Sequence, residues 1–294
     1  MVEGYRPAFL LGLIGAGIQA SLTPAMHERE AEAQGLREIY RIIDLDALGL
    51  GVEALPELLT GAERLGFDGL NITFPCKQAI IPLLHELSED ARALGAVNTV
   101  VLRDGRRTGH NTDCSGFAES FRRGLSDAPR ARVVQLGAGG AGAAVAHATL
   151  MLGAQQLSIF DTETARAEQL ALDLDARFGK GRVRAGTDLP PAMAEADGLI
   201  NATPVGMAKL PGLPLPASLL RPNLWVADVV YFPLETALLR AARELGCRTL
   251  HGGGMAVFQA AGAFRLFTGV EPDAERMLRH FAAMVGGPVN PARG

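Results

Sequence analysis

The chain is 294 residues long, 48% hydrophobic and 20% charged, with a formal net charge of -4. That length suits about two domains of roughly 100–200 residues each. The apolar content excludes intrinsic disorder as the main state, and the lack of a basic bias argues against a nucleic-acid partner. Only three of the 28 Lys and Arg residues are lysine: Lys77, Lys180 and Lys209. Arginine stays protonated in proteins whereas lysine can give up its proton, so each lysine in so arginine-rich a chain marks a choice.

In chain order, residues 9–14 read as a buried strand. Thr23-Pro24 reads as an N-cap followed by a first helical Pro, opening a helix to about residue 34. A strand at 40–45, a helix at 54–65 and a short strand at 69–73 follow. Residues 82–94 read as helical, and 96–102 as a strand ending in the Asp104-Gly105 turn. A second strand–helix series begins near residue 131, with strands at 132–136, 157–161, 182–184, 198–201, 224–229 and 247–250. Such alternation predicts a parallel sheet with helices on both faces. Residues 254–286 read as wholly helical with no strand to join, and are expected to fold back onto the first domain.

Cys76, Cys114 and Cys247 form no CxxC pair, which argues against a disulfide framework and against a zinc site. A reducing, cytoplasmic setting is expected. The apolar run at residues 9–18 is cut by Gly12, Gly15 and Gly17 and preceded only by Arg6, so it is not read as a signal peptide. No run reaches the roughly 18–20 apolar residues of a membrane span.

Gly137-Ala138-Gly139-Gly140-Ala141-Gly142 follows the strand Val133-Val134-Gln135-Leu136 and opens a helix at about 143–152. In that context the glycines suit a dinucleotide: Gly137 for the tight turn, Gly139 for close approach of a pyrophosphate, Gly142 for helix–strand packing. Asp161 ends the next strand, where a carboxylate accepts from ribose hydroxyls and repels a 2′-phosphate. Glu163 adds to that repulsion, and Arg166 is read as a solvated helix residue rather than a phosphate ligand. NAD is expected over NADP. The expected architecture is α/β with two domains. Residues 1–112 and 250–294 form an N-terminal α/β substrate domain completed by C-terminal helices, and residues 113–249 a Rossmann-type NAD-binding domain. The cleft between the two is the expected ligand site.

Asn71-Ile72-Thr73-Phe74-Pro75-Cys76-Lys77 leaves a strand through a Pro-marked turn. Lys77 thus falls near the carboxyl end of a strand, where α/β ligand sites lie. His110-Asn111-Thr112-Asp113 precedes a helix at the expected domain crossover. A Lys77–Asp113 pair would supply a titratable acid/base and its carboxylate orienter, which oxidation of an alcohol by a nicotinamide needs.

These residues resemble the shikimate/quinate dehydrogenase family. The resemblance runs through nearly the whole chain, from Gly15-Ala16-Gly17-Ile18-Gln19-Ala20-Ser21-Leu22-Thr23-Pro24-Ala25-Met26-His27 through the Lys77 block to Gly95-Ala96-Val97-Asn98-Thr99. It continues in Asn111-Thr112-Asp113-Cys114-Ser115-Gly116, the Gly-rich turn and Asn201-Ala202-Thr203-Pro204-Val205-Gly206-Met207. It ends in Asp228-Val229-Val230-Tyr231 and Gly254-Met255-Ala256-Val257-Phe258-Gln259-Ala260. The resemblance implies that Lys77 and Asp113 are the catalytic pair. It implies that Ser21 and Thr23 hold the substrate carboxylate with help from Tyr231, and that Thr73, Asn98 and Gln259 bind ring hydroxyls. Gly137, Ala138, Gly139, Gly140 and Asp161 match the dinucleotide site, with Thr203, Met207 and Met255 beside the nicotinamide. His27 matches a family histidine and is read as structural.

The family's biosynthetic pattern has His then Ser-x-Ser, where this chain has Ala20 then Ser21-Leu22-Thr23. NADP-using members carry Asn-Arg where it has Asp161-Thr162. Both departures resemble the NAD-linked branch that interconverts quinate and/or shikimate with the 3-dehydro acids. The alternatives are an NADP-dependent shikimate dehydrogenase of aromatic amino-acid biosynthesis, a sibling acting on an amino- or otherwise substituted cyclic acid, and a catalytically silent ligand sensor. The expected partner is a small cyclic hydroxy acid, bound by a monomer or homodimer, with no metal, nucleic acid or membrane.

Overall fold

The computed structural model describes residues 7–286; Arg6 and the 287–294 end of the expected substrate domain lie outside them. The chain divides into two compact units, residues 7–112 with 257–284 and residues 113–256 with 285–286.

The elements of the first stretch are β1 (Ala8–Gly15), α1 (Thr23–Ala33), β2 (Arg37–Asp44), α2 (Leu45–Leu48), α3 (Leu55–Arg64), β3 (Gly69–Ile72), α4 (Cys76–Ala79), β4 (Glu86–Leu87), α5 (Glu89–Leu94), β5 (Thr99–Arg103) and β6 (Arg106–His110). Then come α6 (Asp113–Gly124), β7 (Arg132–Leu136), α7 (Gly140–Met151), β8 (Gln156–Phe160), α8 (Thr164–Phe178), β9 (Val183–Ala185), α9 (Leu189–Glu195), β10 (Gly198–Asn201), β11 (Trp225–Asp228), α10 (Ala237–Glu244) and β12 (Arg248–Leu250). Helices α11 (Gly253–Thr268) and α12 (Ala274–Val285) close the described chain.

The first unit is built on a sheet of order β2-β1-β3-β5-β6-β4. β2, β1 and β3 run parallel, while β5 is antiparallel to β3 and β6. Its two faces follow the period of two along a strand. Leu11, Leu13 and Val101 cluster with Tyr40 and with Ala263 and Phe267 of α11. Ile14, Leu70, Ile72 and Val100 cluster with Leu55 and Leu59 of α3. Helix α11 thus covers a sheet face built from the N-terminal strands, and Phe267 lies over Gly69, where a Cβ would come within 2.2 Å of its ring. His27 is fully buried, with its Nδ1 3.5 Å from Glu38 Oε1 and its ring against Tyr40 and Phe264.

The second unit carries a wholly parallel sheet of order β12-β11-β10-β7-β8-β9. Strand order reverses between β7 and β10, and the crevice at the carboxyl ends there is where doubly wound folds bind ligands. The expected return to the first domain at residue 250 differs from the observed division after residue 256. Leu250 pairs with Ala227 and Gly252 N donates to Val230 O (3.2 Å), so this segment belongs to the second sheet.

Three local expectations need correction. Thr23 is the first residue of α1 and Leu22 is its N-cap. Residues 82–94 are not one helix: a 3-10 turn (Ile81–Leu83) and β4 precede α5. The break is tertiary, because His85 N donates to Arg107 O (3.0 Å) and Ser88 N to Gly109 O (2.8 Å), and the Ser88 hydroxyl then caps α5 by accepting from Ala91 N (3.2 Å). Residues 254–286 are two helices, because Gly269 takes a left-handed φ of 73° that ends α11, and Asp273 accepts from Arg276 N (2.9 Å) at the start of α12.

Candidate active site

In the first unit the site is built at one end of the sheet. After β1 the chain turns through residues 16–22, and Asp44 at the end of β2 accepts from Gly17 N (2.9 Å) and Ile18 N (3.1 Å). Burial pushes the Asp44 carboxyl up, but these bonds and those from Gln19 and Asp46 outweigh it and hold it below its ordinary range. The turn so pinned delivers Ser21, whose N donates to Ile18 O (2.9 Å), and Thr23, whose N donates to Ser21 Oγ (3.3 Å). Thr73 leaves β3 with its N donating to Ile14 O (2.9 Å) and its carbonyl accepting from Cys76 N (2.8 Å).

Lys77 lies half-buried in the single turn of α4, and its carbonyl accepts from Val97 N (2.9 Å). Cys76 beside it is fully buried, and that burial pushes its thiol up to about 11, so it remains a neutral packing group. Asn98 precedes β5 and is itself buried. Its Oδ1 accepts from Thr112 N (2.8 Å) and Thr99 Oγ1 (3.0 Å), and its Nδ2 donates to Thr112 Oγ1 (2.9 Å). Behind it Asn71 Nδ2 donates to Asn98 O and Thr99 Oγ1 (both 3.1 Å), and Tyr40 OH donates to Asn71 Oδ1 (2.6 Å). Ser21, Thr23, Thr73, Lys77 and Asn98 therefore stand on segments leaving the same end of the sheet. Gln259 lies on α11 three residues before Gly262, where a Cβ would come within 3.2 Å of Thr112. Asp113 follows Thr112 directly and opens α6.

In the second unit, Gly137 N donates to Phe160 O (2.7 Å) as the chain leaves β7. Its φ is 98°, and a Cβ there would lie 2.7 Å from the Ala202 carbonyl, so the turn and the loop after β10 touch at the switch point. A Cβ on Gly142 would lie 2.3 Å from Gly137 O, whereas one on Gly139 meets nothing within 4 Å. The turn is thus closed against its own helix and open above Gly139, at the end of α7 where first-turn N–H groups lack intrahelical acceptors. A dinucleotide pyrophosphate fits there. Gly142→Ala is expected to cost about 1–3 kcal/mol of stability from overpacking and to weaken NAD binding, checked by thermal melts and a fluorescence titration with NAD.

Asp161 Oδ2 accepts from Ala138 N (2.7 Å) and its Oδ1 from Glu163 N (2.9 Å). Arg166 pairs with Glu163 at 2.9 Å on an exposed turn, in line with a solvated role. After β10, Asn201 Oδ1 accepts from Thr203 N (3.1 Å) and Oγ1 (2.6 Å). Met207 and Tyr231 are exposed on the loops after β10 and β11, and Met255 is buried in the first turn of α11. Trp225 is core: its Nε1 donates to Pro129 O (2.6 Å) and its ring meets the Phe121 ring edge-on at 5.0 Å. Among the described residues no group of three or more His, Cys, Asp or Glu is placed to hold a metal ion, and no helix is long and apolar enough to cross a membrane.

Sequence reasoning missed Asp44, Asn71 and Gln135. Gln135 is fully buried, and its Nε2 donates to Gly137 O (2.8 Å) and Gly142 O (2.9 Å), stapling both ends of the Gly-rich turn. The available signal was an amide in the middle of an otherwise apolar strand.

A shikimate dehydrogenase (NADP(+)) from Streptomyces avermitilis is 62% identical to this chain over 96% of it and 97% of the relative. The chain belongs to the shikimate dehydrogenase family. A quinate/shikimate dehydrogenase (NAD(+)) from Corynebacterium efficiens is 52% identical, over 94% of this chain and 99% of the relative. The solved quinate dehydrogenase from Corynebacterium glutamicum in complex with NAD superposes with a TM-score of 0.89 at 50% identity, covering 95% of this chain and all of the other. Residues 13–100 match the shikimate dehydrogenase substrate binding domain, 252–280 the shikimate 5'-dehydrogenase C-terminal domain, and 120–219 the alanine dehydrogenase/PNT C-terminal domain. The first of these family stretches contains Ser21, Thr23, Thr73, Lys77 and Asn98, while Asp113 and Tyr231 fall outside all three.

Proposed function

We propose that this chain is an NAD-dependent dehydrogenase that interconverts quinate, shikimate or both with their 3-dehydro acids. The observation that carries this reading is the Asp161 carboxylate at the end of β8, bonded to Ala138 N of the Gly-rich turn and followed by Glu163. Negative charge stands where a 2′-phosphate would have to sit. The likeness to an NAD-bound quinate dehydrogenase supports it.

In this reading Ser21, Thr23 and Tyr231 hold the substrate carboxylate, and Thr73, Asn98 and Gln259 hold the ring hydroxyls. A site furnished with that many polar partners rejects analogues that lack them, because its own groups would go unpaired. Gly137, Ala138, Gly139, Gly140 and Asp161 hold the dinucleotide, with Thr203, Met207 and Met255 at its nicotinamide end. When bound, the nicotinamide supplies the hydride acceptor. Lys77 Nζ takes the proton of the reacting hydroxyl as the alcohol becomes a ketone, and returns it in the reverse direction. Asp113 orients Lys77 and that hydroxyl.

NADP-linked oxidation of shikimate is the second reading, favoured by the name of the 62% identical relative. Initial rates of reduced-cofactor absorbance with quinate and shikimate, each with NAD and with NADP, decide between them. Higher kcat/KM with NAD is expected. A clear NADP preference confined to shikimate would install the second reading, and silence in all four pairings would sink both.

A further inference from the structure

Asp228 ends β11, is buried, and has no part in the chemistry above, yet its carboxylate gathers donors from three directions. Oδ1 accepts from Asn201 Nδ2 (3.0 Å) and Val230 N (3.0 Å), and Oδ2 accepts from Thr236 Oγ1 (2.8 Å). The parallel register sets Asn201 of β10 directly beside it. An ionised carboxylate only accepts, so Asn201 must turn its amide nitrogen toward Asp228. Its oxygen then faces the following loop and accepts from Thr203 N and Oγ1. The same nitrogen also reaches Val205 O (2.9 Å). On the other side Val230 N is fixed one residue before Tyr231, and Thr236 caps α10 by accepting from Leu239 N (3.2 Å). Farther out the same two loops meet again, where Ala208 N donates to Phe232 O (3.3 Å).

We infer that Asp228 is a positioning residue: through Asn201 it sets the loop carrying Thr203 and Met207, and through Val230 it sets Tyr231, so one buried carboxylate holds a cofactor-side and a substrate-side loop in a single geometry. The roles of those three residues rest on the proposed function; the coupling of the loops does not.

The groups facing the carboxylate are neutral: Asn201 and the Gly206 backbone after β10, Val230 N after β11, and Thr236 at the start of α10. Glu235, next to Thr236, is exposed and pairs with Arg243 at 2.7 Å. Burial without a cation pushes Asp228 up to about 6 against the pull of its hydrogen bonds. A carboxyl raised in the folded state contributes stability that is full below its unfolded pKa and is lost as pH rises through about 6. At neutral pH the fold therefore bears the cost of an ionised Asp228 while using it to organise two loops, a trade expected of a residue kept for activity rather than stability.

Asp228→Asn keeps the size and one acceptor oxygen for Asn201 Nδ2 and Val230 N, but that acceptor is uncharged, so both charge-assisted bonds weaken, and the new amide nitrogen donates to Thr236 Oγ1 instead of accepting from it. At neutral pH it is expected to lower kcat/KM about tenfold through misplacement of the loops. Its melting temperature should equal or exceed that of the wild type, and the rise of activity through about pH 6 expected of the wild type should be absent. Hydrogen exchange followed by mass spectrometry should quicken in residues 202–208 and 229–232. Unchanged kinetics and exchange would overturn the inference. So would a fall in melting temperature that parallels the fall in activity, since Asp228 would then be a packing residue. If the wild type turned over none of the four substrate–cofactor pairings, the proposed function would fail while the exchange comparison still judged the coupling.

Discussion

Replacing Lys77 with Ala is expected to lower turnover about 10²–10⁴-fold, the span typical of a lost general acid–base, while NAD affinity changes little. The residues proposed to hold the dinucleotide belong to the second unit and Lys77 to the first, so the truncation removes none of them. The loss corresponds to about 3–5 kcal/mol of transition-state stabilisation, at 1.36 kcal/mol per factor of ten. Lys77→Arg separates the two things a lysine offers. Arginine keeps the positive charge and its hydrogen-bond donors but does not deprotonate. If Lys77 moves a proton, the Arg variant fails nearly as badly as Ala. If it only holds an anionic substrate, Arg restores much of kcat/KM. Steady-state kinetics in the oxidation direction, with a separate fluorescence titration of NAD, give both quantities. Wild-type-like turnover in Lys77→Ala would remove the residue from the chemistry altogether. The test also bears on the composition, because a chain that writes nearly all its positive charge as Arg has a Lys at this place.

Features carried by a few consecutive residues were legible in the sequence. The Gly-rich turn needs only a strand, a turn and a helix in succession, and the structure has β7, Gly137–Gly139 and α7 in that order. The parallel second sheet followed from regular strand–helix alternation, and Lys77 stands after strand β3 as its neighbours implied. What was not legible depends on partners far along the chain. The expected helix at 82–94 has a plausible pattern of its own, but its backbone is claimed by Arg107 and Gly109 across the sheet. Thr23 reads locally as a helix cap, yet α1 takes it in as its first helical residue. Asp44, Asn71, Gln135 and Asp228 act by bonds to residues two to 31 positions away, several to backbone groups that leave no trace in the sequence. Each is buried in or at the end of a strand. A polar side chain there is costly unless satisfied, and that cost was the one available clue.

Asp161→Asn is expected to reduce the preference for NAD over NADP, measured as the ratio of kcat/KM values, by about 10–100-fold, or about 1.4–2.7 kcal/mol. Two unit charges 4 Å apart interact by about 4 kcal/mol near a protein surface, and the half-exposed position of Asp161 lets solvent take up part of that. The carboxylate has a second task. It accepts from Ala138 N and Glu163 N on separate oxygens, and an amide has only one oxygen to offer them. One of the two backbone groups then loses its acceptor, so kcat/KM for NAD should fall even as that for NADP rises. Adding Glu163→Gln takes away a second negative charge and releases Arg166 from its ion pair. An exposed pair of this kind contributes at most about 1 kcal/mol, so releasing it costs little, while a freed guanidinium can bind a phosphate by two charge-assisted hydrogen bonds. The double variant should therefore gain NADP activity beyond the single one. A fall in NAD activity with no rise for NADP in either variant would show that Asp161 clamps the turn without selecting the cofactor.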